Sequence, residues 1–160
     1  MGLRRTAALT GALALLGGPA AGAAVSPTPS ATAILSTDRA GARPVALVVR
    51  LHYEMQCGWP GEGRLTIRFP AAMRVPRAVP RAAVRVDGKP TRRLGKRGRL
   101  IAVALPLRPQ ILCDAIGPGT LTVAFTRAAG LGNPPAPGRY PLRATRGSLT
   151  FLATLTVRRR

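Results

Sequence analysis

The chain has 160 residues, 46% of them hydrophobic, which is one domain's length with enough apolar content for one core; a wholly disordered chain is excluded. Lys and Arg number 25 against 5 Asp and Glu, a formal net charge of +20 at pH 7, and only Lys89 and Lys96 are lysines. Such a surface attracts phosphate, carboxylate or sulfate polymers at low salt, whereas five acids and a single His leave few general acids or bases for catalysis. Codon usage is the competing reading of the charge, since Arg, Ala, Gly and Pro share G/C-rich codons.

The first residues read as an export signal. Arg4 and Arg5 form a basic start, Ala7 to Leu16 an apolar core, and Ala20-Ala21-Gly22-Ala23-Ala24 a small-residue cleavage region, so 1–24 is expected to be removed and the mature chain to begin near Val25. An uncleaved membrane anchor is the alternative. Gly17-Gly18-Pro19 and the shortness of the apolar core argue against a span of about 20 residues. Residues 25–30, with Ser26-Pro27-Thr28-Pro29-Ser30, read as a linker to one domain over 31–160.

From there the chain alternates apolar and polar residues in short runs. Strands are expected at 31–37, at 45–55 with Leu47, Val49, Leu51, Tyr53 and Met55 on one face, and at 64–69 with Leu65, Ile67 and Phe69 inward. Further strands are expected at 82–86, 100–105, 120–125, 140–145 and 149–157. About seven or eight short strands with Pro/Gly corners and no long helical pattern imply an all-β sandwich. Val84-Arg85-Val86-Asp87-Gly88-Lys89 reads as a strand entering an Asp-Gly hairpin turn. Arg77, Arg81, Arg85, Lys89, Arg93 and Arg97 recur every fourth residue, which on a helix would form a basic stripe. Pro80 and Pro90 each cost a helix about 3 kcal/mol, so the spacing is read as accidental.

The ordered run of Ile67 to Pro70, Val75-Pro76, Ala83 to Pro90, Ile101 to Pro106, Gly119 to Phe125, Ala129 to Pro134 and Gly138 to Leu142 resembles the Ig-like β-sandwich modules of bacterial surface-layer and other secreted cell-envelope proteins. The resemblance spans residues 45–157, and it is the order of the turn motifs that carries it. It implies a structural or adhesive module with no catalytic site; no cofactor is expected. Those relatives are rich in Thr, Ser and Val; this chain carries Arg.

Cys57 and Cys113 are expected to form a disulfide pinning two corners at one end of the sandwich, as suits an exported chain. Closing a loop of about 57 residues stabilises the fold by roughly 4 kcal/mol in the chain-entropy picture. A metal site built from His52, Cys57, Cys113 and Asp114 is the alternative, disfavoured by the lack of a Cys-x-x-Cys pair and by the single His. Trp59, in a Gly58-Trp59-Pro60 turn, either covers the disulfide end of the core or offers a stacking face to a sugar or partner. His52 and Glu54 share a strand face as the only visible acid–base pair, beside Arg50.

Arg50, Arg64, Arg68, Arg85, Arg139 and Arg143 fall on the solvent parity of their strands, and an expected loop over 89–99 adds Lys89, Arg92, Arg93, Lys96, Arg97 and Arg99. The sequence therefore predicts a secreted or envelope-associated, non-catalytic module that adheres electrostatically to an anionic envelope polymer or to lipid head groups. The alternative is a soluble extracellular binder that captures an acidic ligand with Trp59 and the Arg-rich loops. Sequence-specific nucleic-acid binding is disfavoured, because 4% aromatic content leaves few platforms for base stacking. No transmembrane segment is expected in the mature chain.

Overall fold

A computed structural model describes residues 28–107 and 113–159; the expected signal peptide and most of the expected linker lie outside the described residues. Ten strands form: β1 (Ser30–Leu35), β2 (Leu47–Gln56), β3 (Arg64–Arg68), β4 (Val84–Val86), β5 (Lys89–Pro90), β6 (Leu94–Arg97), β7 (Leu100–Ala104), β8 (Ile116–Phe125), β9 (Gly138–Arg146) and β10 (Leu149–Val157). They assemble into two five-stranded antiparallel sheets, sheet I in the order β1-β2-β8-β4-β5 and sheet II in the order β10-β9-β3-β7-β6. The architecture is a β-sandwich, as the period-two patterning predicts. No helix among the described residues is long and apolar enough to cross a membrane.

Alternation along each strand builds the core. In β2, Leu47, Val49, Leu51, Tyr53 and Met55 are buried while Arg50, His52, Glu54 and Gln56 are exposed. Across the sandwich they meet Leu65 and Ile67 of β3, Ile101 and Val103 of β7, Leu142 and Ala144 of β9, and Phe151, Ala153 and Leu155 of β10. Two edge-to-face aromatic pairs bridge the sheets: Tyr53 with Phe151 at 5.2 Å, and Phe125 with Phe69 at 5.4 Å. Each contributes about 0.5–1.5 kcal/mol beyond the area it buries.

The expected loop over 89–99 is corrected: it holds the two short strands β5 and β6. β5 is only two residues long, with Pro90 at the sheet edge where its missing N–H breaks no ladder, and Gly95 interrupts the apolar alternation of β6, so neither carries a strand signature. The linker expectation is also shortened, since Ser30 already belongs to β1, where it opposes His52. At Asp87-Gly88 the expected hairpin turn forms, with φ of 47° and 76° as a type I′ turn requires. Asp87 also extends the ladder: its N–H donates to Thr122 O at 2.9 Å, and its Oδ1 accepts the Thr122 N–H at 2.8 Å. No helix forms over the four-residue basic spacing: Arg81 opens a short 3-10 turn (Arg81–Ala83), Arg85 lies on β4, Lys89 on β5 and Arg97 on β6.

Two corners are fixed by specific bonds. Cys57 and Cys113 are joined in a disulfide, with Cα atoms 6.0 Å apart, at the end of the β2–β8 pair. At the opposite end, buried Asn133 donates from Nδ2 to Thr37 O at 2.8 Å and to Arg39 O at 2.9 Å, tying the segment after β1 to the turn before β9.

Candidate anion-binding surface

The corner between β5 and β6 is set by one buried hydroxyl. Thr91 Oγ1 lies 3.0 Å from Arg93 O and 3.1 Å from Ala104 O, and the Thr91 N–H donates to Val84 O at 3.0 Å. With Thr91 held inside, Arg92 and Arg93 are exposed on the adjacent positions. Arg81 crosses to this corner and donates from Nη1 to Arg92 O at 3.1 Å. The result is a groove of about 670 Å³ whose arginines are Arg64, Arg81, Arg92 and Arg93 and whose remaining lining is small or apolar, including Gly95, Ala102 and Ala104. No carboxylate lines it. Its charge therefore has no compensating partner within the groove, which favours an anion there.

Arg92 and Ala104 also line a neighbouring pocket of about 130 Å³, with Trp59, Lys89 and Leu107 among its other walls. Trp59 is half-buried, and its Nε1 is buried with no hydrogen-bond partner among the described residues.

A second cleft, of about 240 Å³, lies on the outer face of sheet II and is lined by Thr66, Arg68, Leu100, Arg143 and Thr145. Register places Arg68 directly opposite Arg143 and Thr66 directly opposite Thr145, on the adjacent central strands β3 and β9. On the far side of β3, Arg68 opposes Leu100, which in turn opposes Arg97 of β6. The strands of sheet II carry Arg64, Arg68, Lys96, Arg97, Arg139, Arg143 and Arg146 and no acidic residue.

The residues singled out in the sequence divide between faces. Arg64, Arg68, Arg92, Arg93 and Arg97 gather on the sheet II side, whereas Arg50 and Arg85 lie on the outer face of sheet I. Arg85 Nη1 donates to Gly88 O at 3.0 Å and so closes its own hairpin turn. Lys89 joins Trp59 in the small pocket, Lys96 is half-buried opposite Ile101, and Arg99 is exposed in the β6–β7 turn. His52 Nδ1 lies 3.0 Å from Thr120 Oγ1 on the outer face of sheet I. Arg81 is the groove residue that strand parity does not reveal, because it sits in a 3-10 turn; its sequence signal is Pro80, which ends the extended run just before it. Tyr53 carries the resolved shift in proton affinity: burial pushes its phenol above the ordinary value, and the Arg146 guanidinium partly offsets this.

Fold and surface together define a two-sheet antiparallel β-sandwich with a basic groove that, among the described residues, no carboxylate lines. No protein family and no curated protein matches the chain. Among solved structures it is similar to the crystal structure of BslA, a bacterial hydrophobin, with a TM-score of 0.53 at 15% identity over 83% of this chain and 100% of that one. At that identity the likeness shows the fold.

Proposed function

We propose that this chain is an exported, non-catalytic sandwich module of the Ig-like type, serving as a structural or adhesive part of the cell envelope and held by charge to anionic envelope polymer or lipid head groups. The observation that carries this reading is the four-arginine groove without a carboxylate. The disulfide fits an oxidising compartment, and the fold is shared with a protein described as a bacterial hydrophobin. Fractionating a native culture into medium, salt wash and detergent extract tests the proposal. Protein released by salt, starting near Val25 and two hydrogen atoms lighter than the reduced chain, is the expected result. Full-length protein confined to the detergent extract overturns it.

The Trp59–Lys89–Arg92 pocket supports a second reading, capture of a discrete acidic ligand. Saturable one-to-one binding of a small phosphate or carboxylate ester by calorimetry, weakened by Trp59→Phe, would favour that reading. The substitution keeps an aromatic ring, though a smaller one, and removes the indole donor.

A further inference from the structure

Resting on the adhesive reading above, we infer that the partner is a linear, flexible, non-aromatic polyanion, and that it lies along β3 across the outer face of sheet II, running from the Arg64–Arg92–Arg93 groove to the Arg68–Arg143 cleft. Four features of the surface point this way.

The first is the opposition of Arg68 and Arg143. Like charges directly across an antiparallel pair destabilise it, yet here they occupy adjacent central strands, and neither guanidinium has a hydrogen-bond or ion-pair partner among the described residues. An anion seated between them turns that repulsion into two charge-assisted hydrogen-bonding contacts. Thr66 and Thr145, opposed in the next outward position, supply hydroxyl donors beside it.

The second is spacing. Arg64 and Arg68 share one face of one strand four residues apart, which sets them about 13 Å apart along it. That separation asks for a chain with repeated charges, because one anionic group cannot reach both. The third is the floor: Gly95 and Ala102 oppose each other, and Ala102 opposes Thr66, so small side chains connect the groove to the cleft and leave the sheet surface open to an extended ligand.

The fourth decides between partners. Among the described residues, Leu152 is the exposed large hydrophobic side chain on this face, so it has no apolar patch to enter a bilayer. No aromatic side chain lines the groove or the cleft, so stacked bases have no platform. A basic track of Arg and Thr running from groove to cleft suits a flexible, non-aromatic polyanion.

The test compares Arg68→Gln/Arg143→Gln with Arg50→Gln/Arg85→Gln, a charge-matched pair on the opposite face. Each is titrated with long-chain inorganic polyphosphate at several salt concentrations after far-UV circular dichroism confirms the fold. The sheet II pair is expected to lose at least about tenfold in affinity, and its log K against log salt slope to become shallower by about 1.4, as two lost contacts on a single-stranded polyanion require. The sheet I pair should keep the wild-type slope. Equal losses in both pairs would overturn the track and leave a net-charge effect, with the adhesive reading standing. Wild-type protein that ignores polyphosphate but binds phosphatidylglycerol vesicles would overturn the polymer assignment. Wild-type protein that binds neither would overturn the adhesive reading itself.

Discussion

Arg146 donates a hydrogen bond from Nη1 to the Tyr53 hydroxyl at 2.9 Å while its guanidinium carbon stands 5.4 Å from the centre of the same ring. Tyr53 is a core residue of β2 packed edge-to-face on Phe151, so this one contact gives the hydroxyl of a buried ring its partner. Burial raises the phenol's proton affinity and the Arg146 charge opposes the rise. The native state therefore holds the proton more tightly than the unfolded chain does. The stability this contributes is complete below the unfolded value of about 10 and is lost as pH climbs through the higher folded value. Urea midpoints should fall above about pH 10 in the wild type and fall less in Tyr53→Phe. Parallel curves for the two proteins would contradict this account.

Asn133 is buried and holds two carbonyls of another segment with one amide group. Replacing it by Ala takes the Asn133 donor from Thr37 O and leaves Arg39 O only its longer bond from the Ala42 N–H at 3.3 Å, which should cost about 1–3 kcal/mol by urea unfolding. Asn133→Asp should be worse, since a carboxylate offers those carbonyls no donor and buries a charge. An Asp variant as stable as the wild type would show that the corner is held by something else.

The reach of the sequence follows from what each element buries. Strands with one face in the core and one in water write a period of two: β2 shows it over Leu47 to Met55 and β10 over Phe151 to Val157, so both are legible as strands and β2 with its inward face. Outward parity likewise places Arg64, Arg68, Arg139 and Arg143 on the face where they are exposed. Edge pieces write nothing comparable. β5 is two residues ending in Pro90, and β6 is held to β7 by backbone pairing with Gly95 in its middle, so the 89–99 stretch reads as a loop. The groove was hidden for a related reason. It depends on Thr91 turning inward between two carbonyls and on Arg81 reaching across a 3-10 turn, contacts between segments that no local pattern encodes. Which arginines face one another across strands needs the sheet order, and a sequence of antiparallel strands leaves that order open.

Thr91 should matter to the groove out of proportion to its size. Thr91→Val keeps the shape, removes the hydroxyl that bridges Arg93 O and Ala104 O, and should cost about 1–2 kcal/mol. Because Arg92 and Arg93 flank this anchor, polyphosphate affinity should fall together with stability even though no cationic side chain has changed. Unchanged affinity in a destabilised Thr91→Val protein would mean that the groove forms independently of its anchor.

Arg143 offers a prediction of opposite sign. In the free protein its charge faces Arg68 across the β3–β9 pair, and the flanking residues Thr66 and Thr145 cannot neutralise it. Arg143→Thr replaces a repulsive pair with a β-branched residue suited to a strand, so Tm should rise, by an amount corresponding to a few tenths to about 1 kcal/mol at low salt. The gain should shrink in about 1 M salt, where screening acts within about 3 Å. Polyphosphate should reverse the ranking: it binds the native surface and raises Tm by mass action, more for the wild type than for a variant that has lost half of the facing pair. Two scans, with and without polyphosphate, check both halves. A variant less stable than the wild type without polyphosphate would show that Arg143 supports the sheet through its stem rather than straining it through its charge. A variant that gains as much Tm from polyphosphate as the wild type would remove Arg143 from the binding track.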